Sequence, residues 1–381
     1  MRAYNERLVL SLIRQSGALP KASIAKMTGL SAQTVSVIMR SLEADGLLQK
    51  GEPVRGKVGQ PSVPMDLTGA GAYFFGLKVG RRGVDLILTD FLGRVVQQVS
   101  KKYRFPTPDG VVAFANTAIG QMLDDLPEGG RDRVSGLGIA MPFRLWDWVR
   151  QFSVDYGEMS GWRDRTISDE IGKNWDFPVL LSNDASAACG AELVFGDQEK
   201  PRDFLYFFVG YFVGGGMVLD NVLYTGRTGN AAALGSMPIA GLGDSPRQLV
   251  DAASLAALET ALQSGGYDGD MIWEAPGSWD LPEDVLDSWL VEAAAGLALT
   301  VLSSACVIDF ECVVVDGWLP VTVRTKLVAR INHQLGEISL AGIEAPSVRE
   351  GTIGPDARSL GAASLPLSER FLVDRNAFLK G

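Results

Sequence analysis

Between Asn5 and Gln15 the apolar residues Leu8, Leu12 and Ile13 recur at helical spacing, and Ser16-Gly17 stops the run. Two shorter helical patterns follow, Lys21–Thr28 and Ala32–Ala44, divided by Gly29-Leu30, with Ser31 placed to cap the second. There Val35, Ile38 and Leu42 form an inward stripe and leave Gln33, Thr34, Ser36, Val37 and Arg40 outside. Gly46–Gln49 and Ser62–Leu67 predict a strand pair around the loop GEPVRGKVGQP. Thr68-Gly69-Ala70-Gly71 reads as a hinge. Beyond it the pattern predicts strands Tyr73–Val79, Val84–Thr89 and Val95–Val99, a helix over Val111–Leu123 and a strand over Ser135–Ala140. Helices are predicted over Leu249–Gln263, Asp284–Ser304 and Ser368–Leu379. This alternation predicts an α/β chain, with no tandem repeat in view.

Composition narrows the class. At 381 residues the chain exceeds a single core, so two or three domains are expected. No apolar run follows the N-terminus, so no signal peptide is expected, and Leu290–Val307, broken by Glu292 and serines, predicts a buried helix rather than a membrane span. Cys189, Cys306 and Cys312 form neither a disulfide framework nor a zinc knuckle. A cytoplasmic protein is expected. Residues 1–62 hold nine Lys/Arg and four Asp/Glu, a net of +5, which leaves −15 for the remaining 319. A basic head on an acidic body suits contact with phosphates at one end only.

The head carries candidate chemistry. Ser31, Gln33, Thr34, Ser36 and Val37 sit on the early, outer part of a helix suited to the major groove. Arg40 and the loop residues Arg55 and Lys57 suit the sugar–phosphate backbone. The string AKMTGLSAQTVSVIMRSLEADGLL therefore predicts a winged helix-turn-helix whose partner is operator DNA. A small domain that binds another protein is the alternative.

Several stretches carry a family pattern. They are the wing's Gly59-Gln60-Pro61; GWRDRTISDEIGKNWDFPVLLSNDASAACGAELVFG; VGYFVGGGMVLDNVLYTGRTGN; VVVDGWLP; and GPDARSLGAASLPL. Together they resemble the ROK family (repressors, open reading frames and sugar kinases). Its repressor branch places a winged helix-turn-helix before a two-lobed, actin-like (ribonuclease H-like) sugar kinase fold. The resemblance implies a head over 1–67, lobe one over 72–190 with the C-terminal helix 366–381, and lobe two over 191–365. It also implies that Gln60 belongs to the wing.

Departures from the pattern bear on activity. Where the kinases read D-x-G-G-T, this chain reads Lys78-Val79-Gly80-Arg81-Arg82, and a lysine in the aspartate's place repels the Mg²⁺ that phosphoryl transfer requires. The second glycine loop becomes Gly210-Tyr211-Phe212-Val213-Gly214-Gly215-Gly216, with two aromatics in place of small residues. The sugar-gripping G-E-x-G-H aligns with Ala232-Ala233-Leu234-Gly235-Ser236, and the cysteine cluster for zinc is missing from the sequence that follows. No metal or cofactor is expected, and His333 reads as a surface residue.

What remains is Asn183-Asp184, which matches the catalytic aspartate. The resemblance implies that it contacts a sugar-like effector; the alternative is a helix cap alone. Gly229 and Asn230, closing the second glycine-rich stretch, are implied effector contacts too. Trp146 and Trp148 in MPFRLWDWVRQF are candidates for a sugar-stacking platform or, alternatively, for a core or dimer contact. Lys78, Arg81 and Arg82 could take an anionic effector or form a solvated basic turn. The resulting reading is a non-catalytic regulator, in the default case a repressor, binding operator DNA as a homodimer or tetramer. A sugar or sugar derivative between the lobes would control it by preferring one head arrangement. The alternatives are a body that serves as a protein-interaction module and, last, a sugar kinase.

Overall fold

The N-terminal stripes fold as three helices and a small sheet in the computed structural model, which describes residues 2–53, 62–143, 161–196, 201–239, 247–274, 276–338 and 341–373. Helix α1 spans Arg2–Ser16 and is followed by the short strand β1, Leu19–Pro20. Helix α2, Lys21–Thr28, ends at Gly29, whose φ of +70 favours glycine. Helix α3, Ala32–Ala44, begins as the sequence predicts: Ser31 Oγ accepts a bond from Thr34 N at 3.1 Å. Its inward stripe is Val35, Ile38, Met39 and Leu42. Strands β2, Leu48–Lys50, and β3, Pro64–Leu67, pair antiparallel, with β1 on the far side of β3.

The expected hinge is fastened rather than loose. Gly69–Gly71 is a 3₁₀ turn with Gly71 buried. Thr68 N donates to Leu47 O at 3.0 Å on one side, and Gly69 O accepts from Phe91 N at 2.8 Å on the other. Backbone bonds at both ends remove the freedom that glycines alone suggested.

Strands β4 (Tyr73–Val79), β5 (Gly83–Asp90), β6 (Val95–Lys102), β7 (Val134–Met141) and β8 (Val179–Asn183) make one sheet, in the order β6-β5-β4-β7-β8. Between its strands run helices α4, Pro108–Asp124, and α5, Ile167–Gly172. Helix α6, Asp184–Phe195, leads to a second sheet of β9 (Phe204–Val209), β10 (Val213–Leu219), β11 (Val222–Leu223), β14 (Cys312–Gly317) and β15 (Ser347–Glu350). Its order is β11-β10-β9-β14-β15. In each sheet the first three strands pair antiparallel and the fourth lies parallel to the first. The repeat is one of topology, which is why no sequence repeat announced it.

Between β11 and β14 lie the two-residue strands β12, Pro238–Ile239, and β13, Arg247–Gln248. Helices α7 (Leu249–Ala253), α8 (Leu255–Ser264), α9 (Met271–Glu274) and α10 (Glu283–Ala305) follow. The single helix expected over Leu249–Gln263 is thus two, because Ser254 turns extended and caps α8 through Ala257 N at 3.1 Å. Helix α10 is the one described helix long and apolar enough to cross a membrane, but it buries Trp289, Leu290, Ala293, Leu297 and Val301 in the protein. Helix α11, Val321–Glu337, precedes β15, and α12, Ala357–Phe371, closes the described chain. Helix α12 starts earlier than the expected Ser368–Leu379 and holds Pro366 inside it, while residues 374–379 of that expectation lie outside the described residues. Gly136 makes room: a Cβ there would stand 2.5 Å from Pro366 Cβ. The chain divides into two compact units, residues 1–181 with 362–381, and residues 182–361.

Candidate functional site

On α3, Gln33, Val37 and Arg40 are exposed while Thr34 and Ser36 are half-buried. Val37 keeps 48% of its surface, unusual for valine and suited to a thymine methyl. Arg40 Nε donates to Ser36 O at 3.2 Å, which steadies the side chain along the helix. Ser31 serves the cap, and its Oγ also lies 2.8 Å from Thr34 Oγ1. The wing residues Arg55, Lys57 and Gln60 lie outside the described residues.

The head is tied to lobe one at three points. The Arg14 guanidinium lies 5.1 Å over the Phe91 ring and donates to Phe91 O. Burial pushes the Arg14 guanidinium down to about 10, against the opposing pull of Asp90. Arg133 Nη1 donates to Ala70 O at 2.9 Å and packs where a side chain on Gly46 would stand. Just past α12, Val373 N donates to Ser11 Oγ at 3.0 Å. Phe371, the last residue of α12, packs on Phe91 with ring centroids 5.0 Å apart. Sequence reading missed this joint because its members are 63 to 362 positions apart.

The two glycine-bearing hairpins, β4–β5 and β9–β10, are where a kinase of this fold would hold phosphate. In the first, Lys78 stands opposite Asp85 in register and forms an ion pair with it, both side chains largely buried. Arg81 donates to Arg104 O, and Tyr103 Oη donates to Gly80 O at 2.6 Å. In the second, Tyr211 packs against Phe212 at 5.0 Å and Trp273 at 5.8 Å, ring to ring. Its glycines serve packing: a Cβ on Gly214 would meet Ala185 Cβ at 2.7 Å, and one on Gly216 would meet Cys189 Cβ at 2.4 Å. They let α6 lie directly on β10.

At the start of α6, Asn183 Oδ1 accepts from Ala185 N at 3.0 Å and Ser186 N at 3.3 Å, so the cap role foreseen for it is present. Asp184 Oδ1 accepts from Ala185 N at 3.0 Å, and its Oδ2 faces Arg358 Nη1 at 3.3 Å. The Arg358 guanidinium lies 4.8 Å over the Phe208 ring. Gly361 allows this: a Cβ there would fall 1.9 Å from Ala187 O, so α12 presses on α6. One turn earlier on each helix, Arg358 therefore meets Asp184. Arg358 was legible only as part of GPDARSLGAASLPL, where nothing marked it as the partner of a residue 174 positions away.

Gly229 and Asn230 lie on a loop after β11, Gly229 at φ +74 and Asn230 exposed. Leu234–Ser236 form a 3₁₀ turn in which buried Leu234 packs where a side chain on Gly215 would stand. Trp146 and Trp148 lie outside the described residues. A buried ionic knot also escaped the sequence reading: Asp316 accepts from Arg324 Nη1 at 2.8 Å and Gly354 N at 2.8 Å, and Arg324 Nε reaches Glu350 at 3.1 Å. Burial, with Asp316 beside it, pushes the Tyr206 phenol well above its usual range.

Comparison with known proteins places these features. A winged helix-turn-helix DNA-binding model matches residues 2–49, and the ROK family model matches residues 74–369. An uncharacterized protein (y4fQ) of Sinorhizobium fredii is 26% identical over 97% of this chain and 92% of its own. The xylose repressor of Bacillus subtilis is 25% identical over 63% of this chain and 61% of its own length. Among solved structures, a ROK family transcriptional regulator homologous to the Escherichia coli MLC protein superposes with a TM-score of 0.72, at 19% identity, over 97% of this chain and 96% of its own. A ROK family glucokinase from Streptomyces griseus superposes with a TM-score of 0.59, at 21% identity, over 77% of this chain and 99% of its own. The regulator likeness thus covers nearly the whole chain, the glucokinase likeness about three quarters of it. The chain belongs to the ROK family and carries a winged helix-turn-helix DNA-binding head.

Proposed function

We propose that this protein is a transcriptional regulator that binds operator DNA through α3 and its wing, as a homodimer, and answers to a sugar-like effector. The observation that carries the reading is the pairing of an intact recognition helix with two hairpins whose side chains are committed elsewhere. Exposed Gln33, Val37 and Arg40 are spaced for one groove. Lys78 is engaged by Asp85, and Tyr211 stands where a small residue would admit a nucleotide. A protein that reads DNA works in the compartment that holds it, which fits the cytoplasm. A dimer supplies two heads for a two-fold site.

Asp184 is the retained acceptor for sugar hydroxyls, Asn183, whose Oδ1 caps α6, offers its amide donor beside it, and Gly229 and Asn230 are further candidates. The xylose repressors among its relatives support a carbohydrate effector. The route to DNA is α12. It carries Arg358 beside Asp184 near its start and Phe371 on Phe91 at its end, followed by Val373 on Ser11 of the head. An effector that prefers one setting of α12 shifts the heads by that difference in affinity and by no more. The test is operator binding with and without sugars, in wild type and Phe371→Ala. Wild type should lose or gain affinity with the effector, and Phe371→Ala should keep DNA binding but blunt the response. A response unaltered by Phe371→Ala would remove the route.

A further inference from the structure

We infer that the effector is an anionic sugar derivative, its charge held by Arg358 and its hydroxyls by Asp184. This rests on the effector-controlled reading above and adds the ligand's chemical class. The two residues belong to one compact unit and are held at fixed points, Asp184 on the first turn of α6 and Arg358 on the first turn of α12. The Gly361 contact with Ala187 O sets their spacing. The Arg358 guanidinium has one face on Phe208 and keeps its plane fixed.

The pair is under-used. A guanidinium that only neutralised Asp184 would meet it through two short bonds, as forked pairs do. Here one bond forms, from Nη1, at 3.3 Å. Nε is buried and has no hydrogen-bond partner among the described residues. A buried N–H without an acceptor marks where an oxygen is missing. Buried Nε is reached once the guanidinium shifts away from Asp184, and its edge with Nη2 then matches the two oxygens of a carboxylate or phosphate. Asp184 Oδ2, engaged only by that one long bond, remains able to accept from a neighbouring hydroxyl. A neutral sugar satisfies the aspartate alone; a uronate, aldonate or sugar phosphate satisfies both. The first hairpin, though richer in cations, is the poorer candidate, because Lys78 is held by Asp85 and Arg81 by Arg104 O.

The test is titration calorimetry on the full-length protein with four matched ligands in each series: a neutral hexose or pentose, its uronate, its aldonate and its phosphate ester. One anionic member should bind at least about tenfold more tightly than its neutral parent, as charge-assisted bidentate bonds allow. The uronate and aldonate arms separate a carboxylate source from the phosphate arm. Arg358→Gln, checked for an unchanged melting temperature without ligand, should bring the anion to within about threefold of the neutral sugar. Arg358→Lys, which keeps the charge and loses the fork, should fall between the two and covers the case in which the glutamine variant does not fold. Asp184→Asn should weaken neutral and anionic members alike. Equal binding of neutral and anionic sugars, an anion preference that survives Arg358→Gln, or no binding in any series would overturn the inference. Operator binding with and without the ligands is measured in parallel. Failure to bind operator under both conditions refutes the regulator reading, whereas operator binding beside any of those outcomes refutes the ligand class alone.

Discussion

The hairpins β4–β5 and β9–β10 hold the same place in their sheets, yet their side chains are committed by different interactions. In β4–β5 the change is electrostatic: Lys78 replaces a metal-binding carboxylate and spends its charge across the ladder on Asp85. In β9–β10 it is steric: Tyr211 fills space with Phe212 and Trp273. The glycines differ in the same way. Gly214 and Gly216 are fixed by the helix lying on them, while the neighbours of Gly80 are mainly the flexible end of Lys78 and a carbonyl. One topology thus preserves a frame by packing in one half and by charge in the other.

The largest effect expected from this contrast lies in the glycines. Gly216→Ala drives a methyl to 2.4 Å from buried Cys189 Cβ and should cost about 3 kcal/mol by urea unfolding. Gly80→Ala should cost less than about 1 kcal/mol, since Lys78 can move. Equal costs would break the comparison. Next, Tyr211→Ala should cost about 2 kcal/mol through lost ring packing and should shift Trp273 fluorescence. Lys78→Ala should cost about 1–2 kcal/mol, because it removes the ion pair to Asp85 in a place where only 22% of the Asp85 side chain is exposed. Adding Asp85→Ala should recover part of that loss, and a strictly additive double mutant would show that the pair is not coupled. A small effect is also expected of Tyr103→Phe, which removes one bond to Gly80 O and should cost about 0.5–1 kcal/mol in the same unfolding assay.

Local signals made the head legible. Ser31 caps, Gly29 turns, and the α3 stripe repeats at helical spacing, so the sequence and the structure agree on Ala32–Ala44 to the residue. Four strands of lobe one were legible for the same reason, while β8, Val179–Asn183, was not foreseen. Helix α12 was expected over Ser368–Leu379 and is found over Ala357–Phe371, where Pro366 sits mid-helix against distant Gly136. The site divides likewise. Asn183 and Asp184 stand in a recognisable motif, but Arg358 acquires meaning only when Gly361 brings α12 against α6. The joint of Arg14, Phe91 and Phe371 is equally non-local. Pairwise contacts between distant segments leave no periodic trace, and the duplicated strand order leaves none either.

The most direct test of the central claim, a DNA-reading head on a body without phosphate chemistry, is selection of sheared genomic DNA by the purified full-length protein. The account predicts a small set of enriched fragments sharing an inverted repeat, lost in the Gln33→Ala/Thr34→Ala variant at unchanged melting temperature. Enrichment no better than random, or enrichment indifferent to those two substitutions, would contradict it.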